Sequence, residues 1–345
     1  MSQISDFNQM IFYIIFLIFI NLIIYFNITR LSKIISIYDF PDKDRKLHET
    51  PISNIGGVII FLNILIIYLF HYFDDNQIFT QKFFQFQYQY VSFFLLSIPI
   101  FLMGIIDDKI NLRANTKLAF LLIILTLAIW IDPDLQIKKI NFSFLEEDIE
   151  LKRFSVLFSL FCLIIFINAI NMIDGIDLLV GTYLLFLILL IILRSDIDYL
   201  LILISIGLIN FLFLNYKRKL FMGDNGSIYC AYLVGYLFIK SVNYDNAFYS
   251  DEIFLAMMIP GLDLVRVALI RMSKRRSPFS SDRFHLHHLI SNYYGNKVAL
   301  ILIILLIVIP NIYSLIFEQT LSVIILSLLA YSLIVLFLYK TPKLN

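Results

Sequence analysis

The sequence predicts an all-α, polytopic integral membrane protein with about ten or eleven transmembrane helices and a site that faces the cytoplasm. Of its 345 residues, 60% are hydrophobic, whereas soluble domains contain about 45–50% apolar residues. The mean hydropathy is +0.85, and apolar runs recur at lengths that approach the roughly 17–25 residues of a membrane-spanning helix. The net charge of +1 gives no indication of nucleic acid binding, so the lipid bilayer is the expected surrounding.

The apolar runs define eleven candidate spans. Longer hydrophilic loops lie only at about 29–54, 74–90, 132–153 and 271–297, and no repeat or linker divides the chain. The first run is interpreted as a retained span, because a basic region and a cleavage pattern are lacking around it. We therefore expect one multi-span domain over residues 1–345. The spans lie near 9–28, 55–73, 91–106, 117–131, 154–171, 177–193, 198–214, 226–241, 252–270, 298–316 and 320–339.

The distribution of lysine and arginine predicts the orientation. With Lys117 and Lys240, which stand at the ends of their spans, counted with the adjoining connections, the connections after odd-numbered spans hold 19 of the 27 basic residues and those after even-numbered spans hold 7. Arg266 lies inside a span. Because positive residues accumulate on the cytoplasmic side, the N-terminus is expected outside and the C-terminus inside. Five polar clusters fall on the cytoplasmic side, which favours one site assembled from five loops. They read DRKLHETPISNIGG, DDKINLRANTK, NAINMIDGID, KRKLFMGDNGS and KRRSPFSSDRFHLHH.

The pair Asp107 and Asp108 ends the third span. The C-terminal end of a helix carries partial negative charge, which disfavours acids there by a few tenths to about 1 kcal/mol each. A bound cation is the compensation that we expect.

A series of oxygen-bearing side chains ends the fifth span. If the segment is helical, the spacing of three keeps its members on roughly one face. Amide and carboxylate oxygens suit Mg²⁺ or Mn²⁺. The alternative, a merely polar helix end, is disfavoured by the cost of burying such groups beside an apolar span. The series comprises Asn168, Asn171, Asp174 and Asp177, with Gly175 in a turn.

Two further stretches suit a phosphate. FMGDNGS predicts a turn and a helix that starts near Ser227. Its glycines and the helix N-terminus favour an anion, and Asp224 would hold a metal ion that bridges the phosphate. The alternative is an ordinary capped turn. In the first loop, Lys46 would contact phosphate or lipid headgroups.

The loop after the ninth span carries His285, His287 and His288, with Arg283 close in sequence. Histidine and arginine at a phosphate site donate hydrogen bonds and positive charge. The alternative is that the histidines bind zinc, although no cysteine lies near.

The order and spacing of these motifs resemble the polyprenyl-phosphate N-acetylhexosamine-1-phosphate transferase family over about residues 40–290. Each motif is weak alone, but the ordered set is specific. Many relatives carry glycine after the second aspartate of Asp-Gly-x-Asp, where this chain has Leu178. The matching patterns are Gly104-x-x-Asp107-Asp108-x-x-x-Leu112-x-x-x-x-Lys117, Asn168-x-x-Asn171-x-x-Asp174-Gly175-x-Asp177, FMGDNGS and His285-Leu286-His287-His288.

The resemblance implies transfer of a HexNAc-1-phosphate from a UDP-N-acetylhexosamine to undecaprenyl phosphate, with release of UMP and a need for Mg²⁺ or Mn²⁺. It implies the inner membrane of a bacterium and a product that starts O-antigen, common-antigen or other cell-wall polysaccharide synthesis. The alternative branch is the phospho-N-acetylmuramoyl-pentapeptide translocase of peptidoglycan synthesis, which usually has three contiguous histidines. A transporter or flippase without chemistry is the alternative of another class, and a homodimer is left open.

The resemblance also implies a role for each site residue. Asn171 and Asp224 are expected as metal ligands. Asp107 and Asp108 would position or deprotonate the lipid phosphate, and Lys117 would contact phosphate. The nucleotide and sugar would be bound by Lys46, Asn168, Asp174, Gly175, Asp177, Arg283, His285, His287 and His288.

Overall fold

The computed structural model describes residues 2–41, 50–73, 83–195, 199–278 and 282–340, and these residues are predominantly helical. Within them, eleven long helices follow the order of the eleven predicted spans, so the all-α polytopic fold is confirmed. A short helix, α10, precedes α11. The bounds are α1 Ser2–Ile35, α2 Gly56–Phe73, α3 Gln87–Ile110, α4 Ala114–Ile131, α5 Ser155–Ile173, α6 Leu179–Arg194, α7 Tyr199–Tyr216, α8 Asp224–Asp245, α9 Ser250–Ser273, α10 Leu286–Tyr294, α11 Asn296–Phe317 and α12 Thr320–Lys340.

Most of these helices have the length and composition of membrane spans. Among the described residues, eight helices qualify, namely α1, α3, α4, α5, α7, α9, α11 and α12, while α2 and α6 are apolar but shorter. Helix α8 is more polar, yet every residue from Asn225 to Ser241 is buried. Because protein rather than lipid surrounds it, α8 can carry polar side chains at low cost.

Two helix boundaries differ from the sequence-based expectation. The predicted start near Ser227 is wrong, since α8 already begins at Asp224 with Gly223 as its N-cap. The helical face expected for the asparagine and aspartate series ends early, because α5 stops at Ile173 and Asp174 is its C-cap.

Two short antiparallel hairpins also occur, and the sequence did not indicate them. Strand β1, Tyr38–Asp39, pairs with β2, Ile52–Ser53. Strand β3, Lys139–Ile140, pairs with β4, Ile149–Glu150, inside the predicted loop 132–153. With two residues per strand, they close loops and leave the helical architecture unchanged.

The chain forms two compact units. Unit 1 comprises Met1–Leu135 and Leu184–Ala247, and unit 2 comprises Gln136–Tyr183 and Phe248–Asn345. One of the three boundaries between the units falls within α6. The single domain over residues 1–345 stays a prediction.

In unit 1, α3 packs against α4 and α8, and α2 packs against α7 and α8. Aromatic side chains fill the interface between α3 and α8. The ring centroids of Phe93 and Tyr236 are 4.6 Å apart, and those of Phe101 and Tyr229 are 5.6 Å apart. This packing brings the end of α3 to the start of α8.

In unit 2, α9 packs against α5 and α11, and α10 packs against α11. The β3–β4 hairpin is attached to the start of α9, where the Ser143 N–H donates to Asp251 at 2.9 Å and the Asn141 carbonyl accepts the Ser250 N–H at 2.7 Å. Helix α9 is thereby anchored at its beginning, and its second half carries the charged residues that hold the histidine loop.

Candidate active site

Three helix ends of unit 1 bring together the residues predicted for phosphate chemistry. Lys117 lies in the first turn of α4, and its ammonium is 3.0 Å from the Asp224 carboxylate at the start of α8. The same ammonium forms an ion pair with Asp107 in the last turn of α3. Asp108, Asp107, Lys117 and Asp224 are called the carboxylate cluster below. Residues of the second and fourth polar clusters are thus in contact within this unit.

Asp107 is held almost entirely by the protein. One carboxylate oxygen accepts the Leu112 N–H at 2.7 Å, and the other faces Lys117. The Asp107 side chain is only 1% exposed, whereas those of Lys117 and Asp224 are 26% and 33% exposed. A bound anion would therefore meet Lys117, on which Asp107 acts from behind, while the Asp224 carboxylate would be accessible to a cation.

Asp108 is bound by the start of α8. Its carboxylate accepts the backbone N–H groups of Asp224 and Asn225, each at 3.0 Å, and also the Asn225 side-chain amide. A helix N-terminus attracts an anion, and here that anion is a side chain of the same chain. A β-carbon at Gly104 would lie 2.7 Å from the Asn225 nitrogen. Glycine at position 104 thus permits the close approach of α3 and α8.

The cluster fits a hard divalent cation. Its three carboxylates and one ammonium leave a formal charge of −2. Mg²⁺ usually keeps several waters and uses only one or two protein carboxylates. Of the two carboxylates that pair with Lys117, Asp224 is the more exposed. No group of three His, Cys, Asp or Glu side chains surrounds one point in the described part of the chain. The carboxylate oxygens of Asp224 are donors of the kind that Mg²⁺ prefers.

The asparagine and aspartate series belongs to unit 2. All four members are half-buried at the end of α5 and in the turn to α6. Asn168 donates its amide to the Ile164 carbonyl at 2.8 Å, one turn back in the same helix. Leu178 has φ +71°, in the left-handed region that favours glycine. The backbone at Leu178 therefore has a conformation that residues with a side chain rarely adopt.

The histidine loop is anchored through its first histidine. His285 Nδ1 is 2.8 Å from Asp263, and His285 Nε2 is 3.2 Å from the Arg271 guanidinium. Because a guanidinium only donates, Nε2 accepts and Nδ1–H donates to Asp263. Asp263 also accepts the Leu286 N–H at 3.0 Å and so caps α10. His285 thus has both ring nitrogens engaged by the protein.

Arg271 also holds the loop before His285. It donates two hydrogen bonds to Asp282, at 2.7 and 3.1 Å, and one to the Pro278 carbonyl at 2.6 Å. Burial alone would raise the pKa of the Asp282 carboxyl, but the Arg271 hydrogen bond holds that pKa below its ordinary value. The loop is consequently fixed by charge-assisted contacts.

The second histidine connects two of the predicted motifs within unit 2. His287 is buried, and a β-carbon at Gly175 would lie 2.7 Å from its Cδ2 atom. His287 Nε2 has no hydrogen-bond partner among the described residues. Burial, followed by the charge of Arg283, lowers the pKa of the neighbouring His288 to about 4. Both rings are therefore neutral at pH 7, since burial also lowers the pKa of His287 well below its ordinary value.

The predicted site residues accordingly fall into two sets. Unit 1 contains the carboxylate cluster, and unit 2 contains the asparagine and aspartate series with the histidine loop. Lys46 lies within 42–49, outside the described residues. The assembly of all five motifs into one site stays a prediction. Sequence reasoning gave no role to Asn225, although it lies within FMGDNGS, or to Arg271, because each acts through tertiary contacts.

Known proteins of one kind resemble this chain. The glycosyl transferase family 4 pattern matches residues 90–242. An undecaprenyl-phosphate alpha-N-acetylglucosaminyl 1-phosphate transferase of Thermotoga maritima is 29% identical over 77% of this chain and 77% of its own length. The protein of the same description from Yersinia pestis is 26% identical over 76% of this chain and 72% of its own length. A probable undecaprenyl-phosphate N-acetylglucosaminyl 1-phosphate transferase of Bacillus subtilis is 28% identical over 81% of this chain and 76% of its own length.

The matched region runs from α3 to α8 and contains the whole carboxylate cluster. Relatives with one description align over most of the chain and over most of their own length. On these grounds, this membrane protein resembles glycosyl transferase family 4 over the region that contains the carboxylate cluster.

Proposed function

We propose that this protein transfers a HexNAc-1-phosphate from a UDP-N-acetylhexosamine to undecaprenyl phosphate, forming a lipid-diphosphate-linked sugar and releasing UMP. The observation that carries the proposal is the Lys117 ammonium held between Asp107 and Asp224. It provides a fixed positive charge beside a solvent-accessible carboxylate, which suits two anionic reactants. The descriptions of the relatives in Thermotoga maritima and Bacillus subtilis support the choice of lipid and sugar class.

In this reaction, an oxygen of the lipid phosphate forms a bond to the β-phosphorus of the UDP-sugar. The bond from that phosphorus to the oxygen that bridges to the α-phosphorus breaks, and UMP leaves with the electron pair. A phosphate monoester has a second pKa of about 6, so the nucleophile is mostly dianionic at pH 7 without a strong base. Catalysis then consists mainly of positioning and charge stabilisation.

The contacts of the aspartate pair support direct attack over a covalent aspartyl intermediate. Asp107 is nearly inaccessible, and Asp108 is occupied by N–H donors from α8. Neither carboxylate is presented to a phosphorus atom. Asp107 instead orients Lys117 toward a phosphate oxygen, and Asp108 positions the first turn of α8.

Mg²⁺ or Mn²⁺ held by Asp224, with Asn171 as the second ligand implied by the resemblance, would offset the charge of the pyrophosphate. The turn after α5 would bind the uridine nucleotide through Asp174 and Asp177. The neutral rings of His287 and His288 would donate or accept hydrogen bonds at the sugar and pyrophosphate.

We place the reaction at the cytoplasmic face of a bacterial inner membrane, with the N-terminus outside. The basis is the excess of basic residues in the odd-numbered connections. Cysteines substituted at Ser36 and Ser277, both exposed, should resist impermeant thiol reagents in intact cells and react after permeabilisation. The native Cys162 and Cys230 are replaced first, and labelling in sealed cells would refute this orientation.

The decisive test of the function is a donor panel with washed membranes that contain the protein and undecaprenyl phosphate. UDP-GlcNAc, UDP-GalNAc, UDP-QuiNAc, UDP-FucNAc and UDP-MurNAc-pentapeptide are supplied separately, and UMP release and lipid-linked product are measured. Asp224→Asn membranes serve as the matched control and should lose nearly all turnover. Activity confined to UDP-MurNAc-pentapeptide would favour the translocase branch. Absence of UMP release with every donor would favour a transporter without chemistry.

A further inference from the structure

A second buried polar cluster lies at the opposite ends of the helices that carry the carboxylate cluster. At about 1.5 Å per residue, the rise is about 27 Å from Gln89 to Asp107 along α3 and about 24 Å from Asp224 to Lys240 along α8. The two clusters are therefore separated by most of the ~30 Å thickness of a bilayer core. The distal cluster comprises Gln89 of α3, Asp132 and Asp134 directly after α4, and Tyr236, Lys240 and Tyr244 of α8.

The centre of the distal cluster is an ion pair shielded from solvent. Lys240 Nζ is 2.6 Å from Asp132, and both side chains are 0% exposed. The Gln89 amide donates to Asp132 at 3.0 Å and to Asp134 at 2.8 Å. The Tyr236 hydroxyl donates to Asp132 as well. Asp132, which follows α4, is thus bonded to both α3 and α8.

These contacts are better suited to setting alignment than to supplying stability. Replacing a buried ion pair with apolar residues is often neutral or stabilising, so the pair is weak evidence for a stability role. The apolar and aromatic side chains between the two clusters hold the helices together by the hydrophobic effect, which does not depend on direction. Charge-assisted hydrogen bonds, in contrast, require fixed distances and angles. The distal cluster supplies such bonds among the three helices whose other ends form the site.

We infer that the distal cluster is a positioning site that fixes the axial register of α3, α4 and α8, and thereby the placement of Asp107, Lys117 and Asp224. As a role in catalysis, this inference rests on the proposed function. The effect on helix register can be measured without turnover, because the Asp108 carboxylate accepts hydrogen bonds at 3.0 Å from two backbone N–H groups of α8. An axial shift of α3 against α8 would break those bonds.

The test removes both charges of the Lys240–Asp132 pair together, in Asp132→Asn/Lys240→Met, so that neither is left buried without its partner. Asp134, which is 4.0 Å from Lys240 and 29% exposed, keeps its hydrogen bonds from Gln89 and Tyr244. Hydrogen exchange at the Asp224 and Asn225 amides reports the register directly, since Asp108 is the acceptor of both. We expect exchange there to be about tenfold faster or more. We also expect kcat to fall about tenfold, with the KM for the UDP-sugar changed less than about twofold.

Phe93→Leu is the matched control. Phe93 packs on Tyr236 at the level of the distal cluster, but its ring makes no polar contact. This variant should lower the melting temperature and leave amide exchange at Asp224 and Asn225 unchanged. If Asp132→Asn/Lys240→Met behaves in the same way, with unchanged exchange and kcat, the distal cluster only supports stability and the inference is overturned.

Gln89→Leu keeps the inference testable if the double variant does not fold. It leaves the Lys240–Asp132 pair in place and removes the three hydrogen bonds that Gln89 donates to Asp132, Asp134 and Tyr244. It also removes the two that Gln89 accepts from backbone N–H groups at the start of α3. Faster exchange at Asp224 and Asn225 would support the register role, and unchanged exchange would refute it. Faster exchange in a protein whose wild type transfers no sugar phosphate would refute the proposed function while the register role stands.

Discussion

The backbone N–H of Asp224 donates to the Asp108 carboxylate at 3.0 Å, so an acid that ends α3 is the anion bound at the start of α8. An acid at a helix C-terminus is disfavoured by the negative end of that helix, whereas the positive end of another helix favours it. The Asn225 N–H contributes a second bond at 3.0 Å. The compensation expected from a cation is therefore supplied, for Asp108, by the packing of α3 against α8.

Asp108→Asn should impair this junction strongly. An amide offers one acceptor oxygen to the three N–H donors that now share the carboxylate. We expect a loss of about 1–3 kcal/mol in stability, since buried donors are left unsatisfied. Turnover should fall by about two orders of magnitude through misplacement of Asp224. Melting curves, kcat and calorimetric binding of the UDP-sugar check this, and the affinity should stay within about threefold.

Lys109→Gln is the control for Asp108→Asn, because Lys109 is the exposed neighbour at the same helix end. Its stability and turnover should stay close to wild type. Turnover of Asp108→Asn near that of the control would show that the junction does not position the site.

Lys117 and Asp107 should behave as a coupled pair with separable effects. Lys117→Met leaves the 1% exposed Asp107 without its cation, and removal of one partner of a buried pair costs about 3–5 kcal/mol. Because Lys117 itself is 26% exposed, water will screen part of this, and we expect a loss of about 2 kcal/mol. The double variant Asp107→Asn/Lys117→Met should recover much of the stability while turnover stays abolished. Recovery of turnover in the double variant would exclude a phosphate-binding role for Lys117.

The carboxylate cluster illustrates how far the sequence could lead. Asp107, Lys117 and Asp224 each stand at the end of an apolar span, so their charges predicted a shared polar site. The partners of Asp108 could not be predicted in this way. They lie 116 and 117 residues away, and they are backbone N–H groups that no side-chain pattern reveals.

Lys240 is a charged residue whose location the sequence-based count misassigned. The count of basic residues assigned it to a connection, although it stands in α8 and is completely buried. A lone lysine in an apolar run is expensive in a membrane and implies a partner, and Asp132-Pro133-Asp134 after an apolar span offered one. Their pairing depends on the packing of α4 and α8, which hydropathy and charge counts do not contain.

Gly175→Ala should disturb the residues proposed to bind the nucleotide and sugar in unit 2, through contact with His287. The new methyl group would collide with the imidazole, because a β-carbon there lies 2.7 Å from its Cδ2 atom. Overpacking of this kind typically costs about 1–3 kcal/mol, and we expect weaker UDP-sugar binding with a smaller change in kcat.

The pairing can be tested by a double-mutant cycle with His287→Ala. If the contact is the cause, the combined variant Gly175→Ala/His287→Ala should be more stable than the sum of the single losses predicts. Additive losses would show that the contact between Gly175 and His287 is not the cause of the loss.

The histidine loop should make stability depend on pH through His288. Burial, and then the charge of Arg283, lowers the pKa of this residue to about 4, whereas an unfolded histidine titrates near 6.5. The folded protein therefore keeps the ring neutral while the unfolded chain takes up a proton. The stability is complete above about pH 6.5 and is lost as the pH falls toward 4, by about 1–2 kcal/mol at pH 5. Melting temperatures of the detergent-solubilised protein between pH 7.5 and 4.5 would show this decrease.

His288→Gln isolates the contribution, because glutamine does not titrate and keeps a polar side chain. The difference between the wild-type and variant stability curves should develop between about pH 6.5 and 4. The contribution of Asp282 is lost at lower pH, since Arg271 holds the pKa of that carboxyl below its ordinary value, and it affects both proteins alike. His287, whose pKa burial also lowers, should leave a residual decrease in the variant. Parallel curves for the two proteins would mean that His288 is not a neutral group in the folded state.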